Sequence, residues 1–122
     1  MLQDKAASEE NRKRFVERIL SSREVWYLRG PNGAAFCPSN AYEATDVILF
    51  WSDRAYAARH LVEEWQNYEV ASLSLDDFID HWLRGMNQDG VLAGTNWDAH
   101  LFGLEIDPIQ LAQELAGTQS RS

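Results

Sequence analysis

Residues 47–51 read Val-Ile-Leu-Phe-Trp, five apolar side chains in a row with no alternation. A strand with one wet face alternates polar and apolar residues, whereas a strand covered on both faces does not. This strand is therefore expected at the centre of a sheet, with a packed layer on either side. The layers must come from a chain of 122 residues. That length suits one domain with one core and is too short for two.

The rest of the chain supplies those layers. Residues 8–21 have Ser8 as a cap, acidic Glu9 and Glu10 in the first turn, and an apolar stripe of Phe15, Val16, Ile19 and Leu20, which predicts a helix. In VWYLRGPNGAAF, two apolar runs flank Gly-Pro-Asn-Gly, a hairpin pattern in which Pro31 presets φ and Asn32-Gly33 tolerates positive φ. Ser52 is expected to cap a second helix carrying Ala55, Ala58, Val62 and Trp65 at helical spacing. A short strand, 68–74, runs into Ser74-Leu-Asp-Asp77, a capping box with Asp in place of Glu. The helix that follows has the cleanest stripe in the chain, Leu75, Phe78, Ile79, Trp82, Leu83 and Met86, and is expected to end near Asn87 and Gly90. Val91, Leu92 and Ala93 form the next strand, and Phe102, Leu104 and Ile106 alternate as one more. Asp107 caps a last helix with Pro108 in its first position and Gly117 as its stop. The expected architecture is α+β, with a single mixed sheet (the hairpin plus three or four further strands) packed against about four helices. Residues 1–7 are expected to be flexible, 8–116 to form the domain, and 117–122 to be a disordered tail.

Charge narrows the partners. The chain carries a net −8. Residues 1–23 hold a net +2 and residues 24–122 a net −10. So acidic a body repels phosphate backbones, and nucleic-acid binding is not expected. The contrast between the two parts suits self-association or an oppositely charged partner. No apolar run approaches the roughly 20 residues that span a bilayer, so no membrane is expected. The absence of a leader-like start and the single cysteine, Cys37, make the cytoplasm the expected location.

VWYLRGPNGAAF, ILFWSDRAYAARH, SLDDFIDHWLRGM and VLAGTNWDAHLFGLEIDP together resemble the bacterial family catalogued as domain of unknown function 2750, over roughly residues 8–116. The most specific parts are Trp-Ser-Asp at 51–53 and Gly-x-Asn-Trp-Asp at 94–98. That family has no established activity to carry over. In the order of its elements the chain also resembles, more distantly, the N-terminal domain of the SseB family, which implies a binding or regulatory role.

Candidate sites follow from chemistry. If strands 47–51 and 91–95 are parallel neighbours, their tips open side by side. Trp51, Ser52, Asn96, Trp97 and Asp98 then gather into a pocket for a small anion or a peptide end; turn-making by Asn96 and Asp98 explains the same residues structurally. His60 with Glu64, and Asp77 with His81, stand four apart, but exposed helix pairs explain that spacing and neither reaches three ligands, so no metal or cofactor is expected. Cys37 has no basic neighbour or helix start to activate it and reads as a structural thiol. Asp98 and His100 are the only acid–base candidates at the pocket, and no catalytic residues are assigned. The aromatics Trp26, Tyr27, Trp51, Trp65, Trp82 and Trp97 are numerous for the size, and a protein-contact surface follows if some are exposed. The sequence thus favours a non-catalytic protein-interaction or regulatory module, including self-association, with a small-ligand sensor at Trp51 and Trp97 as the alternative.

Overall fold

The computed structural model describes residues 5–120. Helix α1 spans Lys5–Ser22. Strands β1 (Glu24–Gly30), β2 (Gly33–Ala34), β3 (Phe36–Pro38) and β4 (Asp46–Phe50) follow. A short helix α2, Arg54–Ala58, a single 3₁₀ turn at Glu63–Trp65 and strand β5, Glu69–Ser74, come next. The third helix, α3, is one run in three parts: an α-turn at Leu75–Asp77, a π-type stretch at Phe78–Trp82 and an α-helix at Leu83–Asp89. Strands β6 (Leu92–Thr95) and β7 (Glu105–Ile106) precede α4, Pro108–Ser120. No helix among the described residues is long and apolar enough to cross a membrane.

The α+β class is as expected, but the strands form two sheets rather than one. The first has order β2-β1-β5 and is antiparallel; the second has order β3-β4-β6-β7. They meet at a single antiparallel bridge between Trp26 and Trp51. Ala35 explains the split. It donates to Leu28 in the first sheet at 2.9 Å and accepts from Leu49 in the second at 3.4 Å, so the hairpin's return strand leaves β1 after two residues and joins β4 as β3.

β4 occupies the interior position that its unbroken apolar run requires. It pairs antiparallel with β3 and parallel with β6, Phe50 lying opposite Thr95. Its side chains divide between two cores. Phe50 faces Phe15, Ile19, Phe78, Leu83, Leu111 and Leu115 from the long helices. Val47, Leu49 and Trp51 face Leu28, Ala57, Trp65 and Trp97 on the other side. Ring contacts tie α3 to the sheet: Phe78 lies 4.8 Å from Phe50, and Trp82 lies 4.8 Å from Tyr27.

Local signals set most boundaries. Ser74 Oγ accepts the Asp77 N–H at 3.1 Å, the anticipated cap. Gly90 closes α3 in the left-handed region at φ 71°. Asp107 Oδ1 accepts the N–H groups of Ile109 and Gln110 ahead of α4. Four expectations shift. α1 begins at Lys5, which places Ser8 inside the helix, where it is buried, rather than at its cap. α4 continues through Gly117 to Ser120, so Gly117 does not stop it; residues 121–122 lie outside the described residues. β7 is two residues long, because Leu101 at φ 62° and the turn before it use up the start of the alternating segment. Finally, α2 ends at Ala58, and Glu63, with φ 53°, starts a separate turn, so the helical spacing from Ala55 to Trp65 is not one helix.

Candidate functional site

The tips of β4 and β6 lie side by side, and the five residues singled out there do converge. The backbone extends the parallel pairing by one bond, from the Asn96 N–H to the Phe50 carbonyl at 2.9 Å. Asn96 then takes φ 50°, a conformation that Asn tolerates better than most residues. Its Oδ1 accepts the Ser52 N–H at 2.8 Å, and its Nδ2 donates to Ser52 Oγ at 3.1 Å. Ser52 Oγ in turn donates to Asp53 Oδ1 at 2.8 Å. Asp53 occupies the cap position of α2 without a side-chain capping bond, so neither residue caps α2 in the way anticipated for Ser52.

The two indoles are equally committed. Trp51 Nε1 donates to the Trp97 carbonyl at 3.1 Å, and Trp97 Nε1 donates to the Leu104 carbonyl at 2.9 Å. Both side chains are buried. Trp97 lies between two glycines: a methyl group at Gly94 or at Gly103 would come within 3 Å of its ring. Asp98 Oδ1 accepts the N–H groups of His100 and Phe102, which makes the turn that carries the chain over Trp97. The side-chain hydrogen-bonding atoms of Trp51, Ser52, Asn96 and Trp97 thus serve one another, the backbone or Asp53. These residues form a rigid floor.

His60 is the residue whose place the sequence conceals most. The turn after α2 points its ring inward, where it stacks on Trp51 with centroids 4.6 Å apart. Nδ1 lies 3.0 Å from the Tyr56 carbonyl and Nε2 2.9 Å from the Asp98 carbonyl. His60 and Glu64 share no helix, so the first histidine–carboxylate pair does not form a face. Asp77 and His81 do pair, at 2.7 Å on the surface of α3. Among the described residues no group of three His, Cys, Asp or Glu side chains is placed to hold a metal ion.

Above the floor is a cleft of about 300 Å³, lined by Asn11 and Arg14 of α1, Tyr56 and Arg59 of α2 and its following turn, and Trp51, Asn96, Trp97 and Asp98. The Arg59 guanidinium lies 5.1 Å over the Tyr56 ring. Arg12 and Arg18, by contrast, are ion-paired: Arg12 with Glu114 at 2.7 Å, Arg18 with both oxygens of Asp53 at 2.7 and 2.6 Å. The bond to Asp53 also raises the pKa of Arg18. Arg14 and Arg59 have no carboxylate within salt-bridge distance among the described residues. Sequence reasoning missed both arginines. For Arg59 the available signal was the Tyr56-x-x-Arg59 spacing, which puts the guanidinium beside the ring; for Arg14 there was none.

Cys37 lies on β3 in a second cleft, of about 380 Å³, with Glu64, His100 and Phe102. Burial, helped by the nearby Glu64 charge, pushes its thiol up to about 11, which suits a structural thiol and not a nucleophile. The aromatic surface is also not where it was sought. Trp51, Trp65 and Trp97 are buried, and Trp26 and Trp82 pack against the two cores. Among the described residues the exposed large apolar side chains are Phe36, Tyr42, Val62 and Phe102.

Neither the curated proteins nor the solved structures contain a match to the chain. Residues 12–115 match the family described as Protein of unknown function (DUF2750). That span includes α2, both strand tips and the loop around Trp97, and all of the cleft residues except Asn11. The chain belongs to the DUF2750 family.

Proposed function

We propose that this protein is a non-catalytic binding module whose ligand is a small anion-bearing molecule held in the cleft above Trp51 and Trp97. One observation carries the reading. In a chain of net charge −8, two guanidiniums from different elements, Arg14 and Arg59, line one cleft with no carboxylate partner among the described residues, while Arg12 and Arg18 nearby are paired. A guanidinium offers a planar fork of donors that fits a carboxylate or phosphate. Tyr56 supplies an apolar wall for the rest of the ligand, while the buried indoles of Trp51 and Trp97 hold the floor in place beneath it. Asn96 and Ser52 belong to the floor, and Asp98 shapes the rim. The likeness in element order to the SseB N-terminal domain agrees with a binding role.

The test is calorimetry at low ionic strength with inorganic phosphate, acetate and citrate as probes, on the wild type and on Arg14→Gln and Arg59→Gln. Binding of at least one probe is expected, weakened about tenfold or more by either change, since a hydrogen bond to a charged group contributes about 1.5–3 kcal/mol. Equal binding by the wild type and both variants, or no binding of any probe, overturns the proposal.

A further inference from the structure

The two sheets have four edges, and three are blunt. β2 and β7 are two residues long, and β3 is three residues ending in Pro38. Short strands and edge prolines are the ordinary protections against strand-to-strand association. β5 is different. It is six residues long and lies at the edge of its sheet, and residues 70–74 are Val-Ala-Ser-Leu-Ser, with neither a charge nor a proline.

The pairing shows which backbone groups face outward. Trp26 exchanges both of its backbone hydrogen bonds with Trp51, at 2.9 and 2.8 Å, and the Leu28 carbonyl accepts from Ala35. The even-numbered residues of β1 therefore turn away from β5. In an antiparallel ladder the bonds to the other neighbour come from the alternate residues. Val25, Tyr27 and Arg29 bond Leu73, Ala71 and Glu69, which lie opposite them. The Leu75 N–H to Arg23 carbonyl bond, 3.0 Å, continues the same phase. Val70 and Ser72 must direct their N–H and C=O groups to the open side, where no backbone partner meets them among the described residues.

We infer that this edge pairs with the same edge of a second copy of the chain, antiparallel about a two-fold axis at Ser72. The edge is self-complementary in that register: Ser72 meets Ser72, Val70 of one copy meets Ser74 of the other, and Ala71 meets Leu73 on the helix-covered face. No charge meets its own kind on the axis. At each end the Arg29–Glu69 ion pair of one copy comes beside the Arg23–Asp76 ion pair of the other, two positive and two negative groups together. The product is a six-stranded antiparallel sheet across two molecules, independent of the anion cleft.

Light scattering over low-micromolar to near-millimolar concentration tests this, with Ser72→Pro as the informative variant. Proline removes only the outward N–H, which β1 does not use, and edge strands accept it. The wild type is expected to rise from 14.0 kDa to twice that mass, with the Val70 and Ser72 amides gaining protection from hydrogen exchange. Ser72→Pro is expected to stay at the lower mass with an unchanged melting temperature. Should it fail to fold, Ser72→Lys places a self-repelling charge on the axis without touching the backbone, and is expected to stay monomeric. A wild type that remains monomeric at near-millimolar concentration overturns the inference, as do folded Ser72 variants that dimerise as well as the wild type.

Discussion

The two faces of β4 are held by different physics. On one face Phe50 enters a core of aliphatic and phenyl side chains from α1, α3 and α4, joined by contact alone. On the other, Trp51 enters a set of groups joined by directed bonds: Asn96 to Ser52, Trp51 to the Trp97 carbonyl, Trp97 to the Leu104 carbonyl, and His60 to one or other of the two carbonyls it lies between, according to its tautomer. The first face depends on volume and the second on geometry. The cleft lies on the second, because a bonded floor keeps its shape without being covered by another layer.

Three experiments probe this contrast, in falling order of effect. Phe50→Ala strikes the volume-dependent face and is expected to lower unfolding free energy by about 3–5 kcal/mol in urea titration; a loss below about 1 kcal/mol would remove the distinction. Asn96→Ala strikes the bonded face. It removes two hydrogen bonds, leaves the Ser52 N–H unpaired and puts alanine at positive φ. About 1–3 kcal/mol is expected from the unpaired buried donor, and Asn96→Gly, which relieves φ but not the bonds, should recover only part of it. The smallest effect concerns Cys37 in the second cleft. Its folded thiol is pushed up to about 11 from an ordinary 9.0, so the folded state keeps a proton that the unfolded chain releases. The contribution of Cys37 to stability is unchanged well below pH 9 and falls as pH rises from there towards 11. Alkylation by iodoacetamide at pH 8 is expected to be roughly tenfold or more slower in the folded protein than in the urea-unfolded chain; equal rates would show the thiol to be solvated.

The same division decides what the sequence made legible. Packing against volume leaves periodic traces. The unbroken run of β4, the stripe of α3 and the caps at Ser74 and Asp107 therefore read correctly; the parallel pairing of β4 with β6 stood only as a condition for the pocket, and the structure meets it. The gathering of Trp51, Ser52, Asn96, Trp97 and Asp98 followed from that pairing. What escaped depended on contacts between distant residues. The end of α2 has no Gly or Pro to announce it; His60 turning to reach the Asp98 carbonyl competes with another helical turn. The division into two sheets hinges on Ala35, which no propensity marks. Arg14 and Arg59 look like ordinary polar-face residues until α1 and α2 are placed together.

Gly94 and Gly103 confine the Trp97 indole from both sides, and this has a consequence for selectivity. An aromatic plate with no freedom to swing cannot remould itself around guests of different outline. Its ordering entropy is lost when the chain folds, so the floor under the cleft is fixed before the ligand proposed above would reach it. For that ligand, an added methyl group directed at this unyielding floor is expected to weaken binding about tenfold or more.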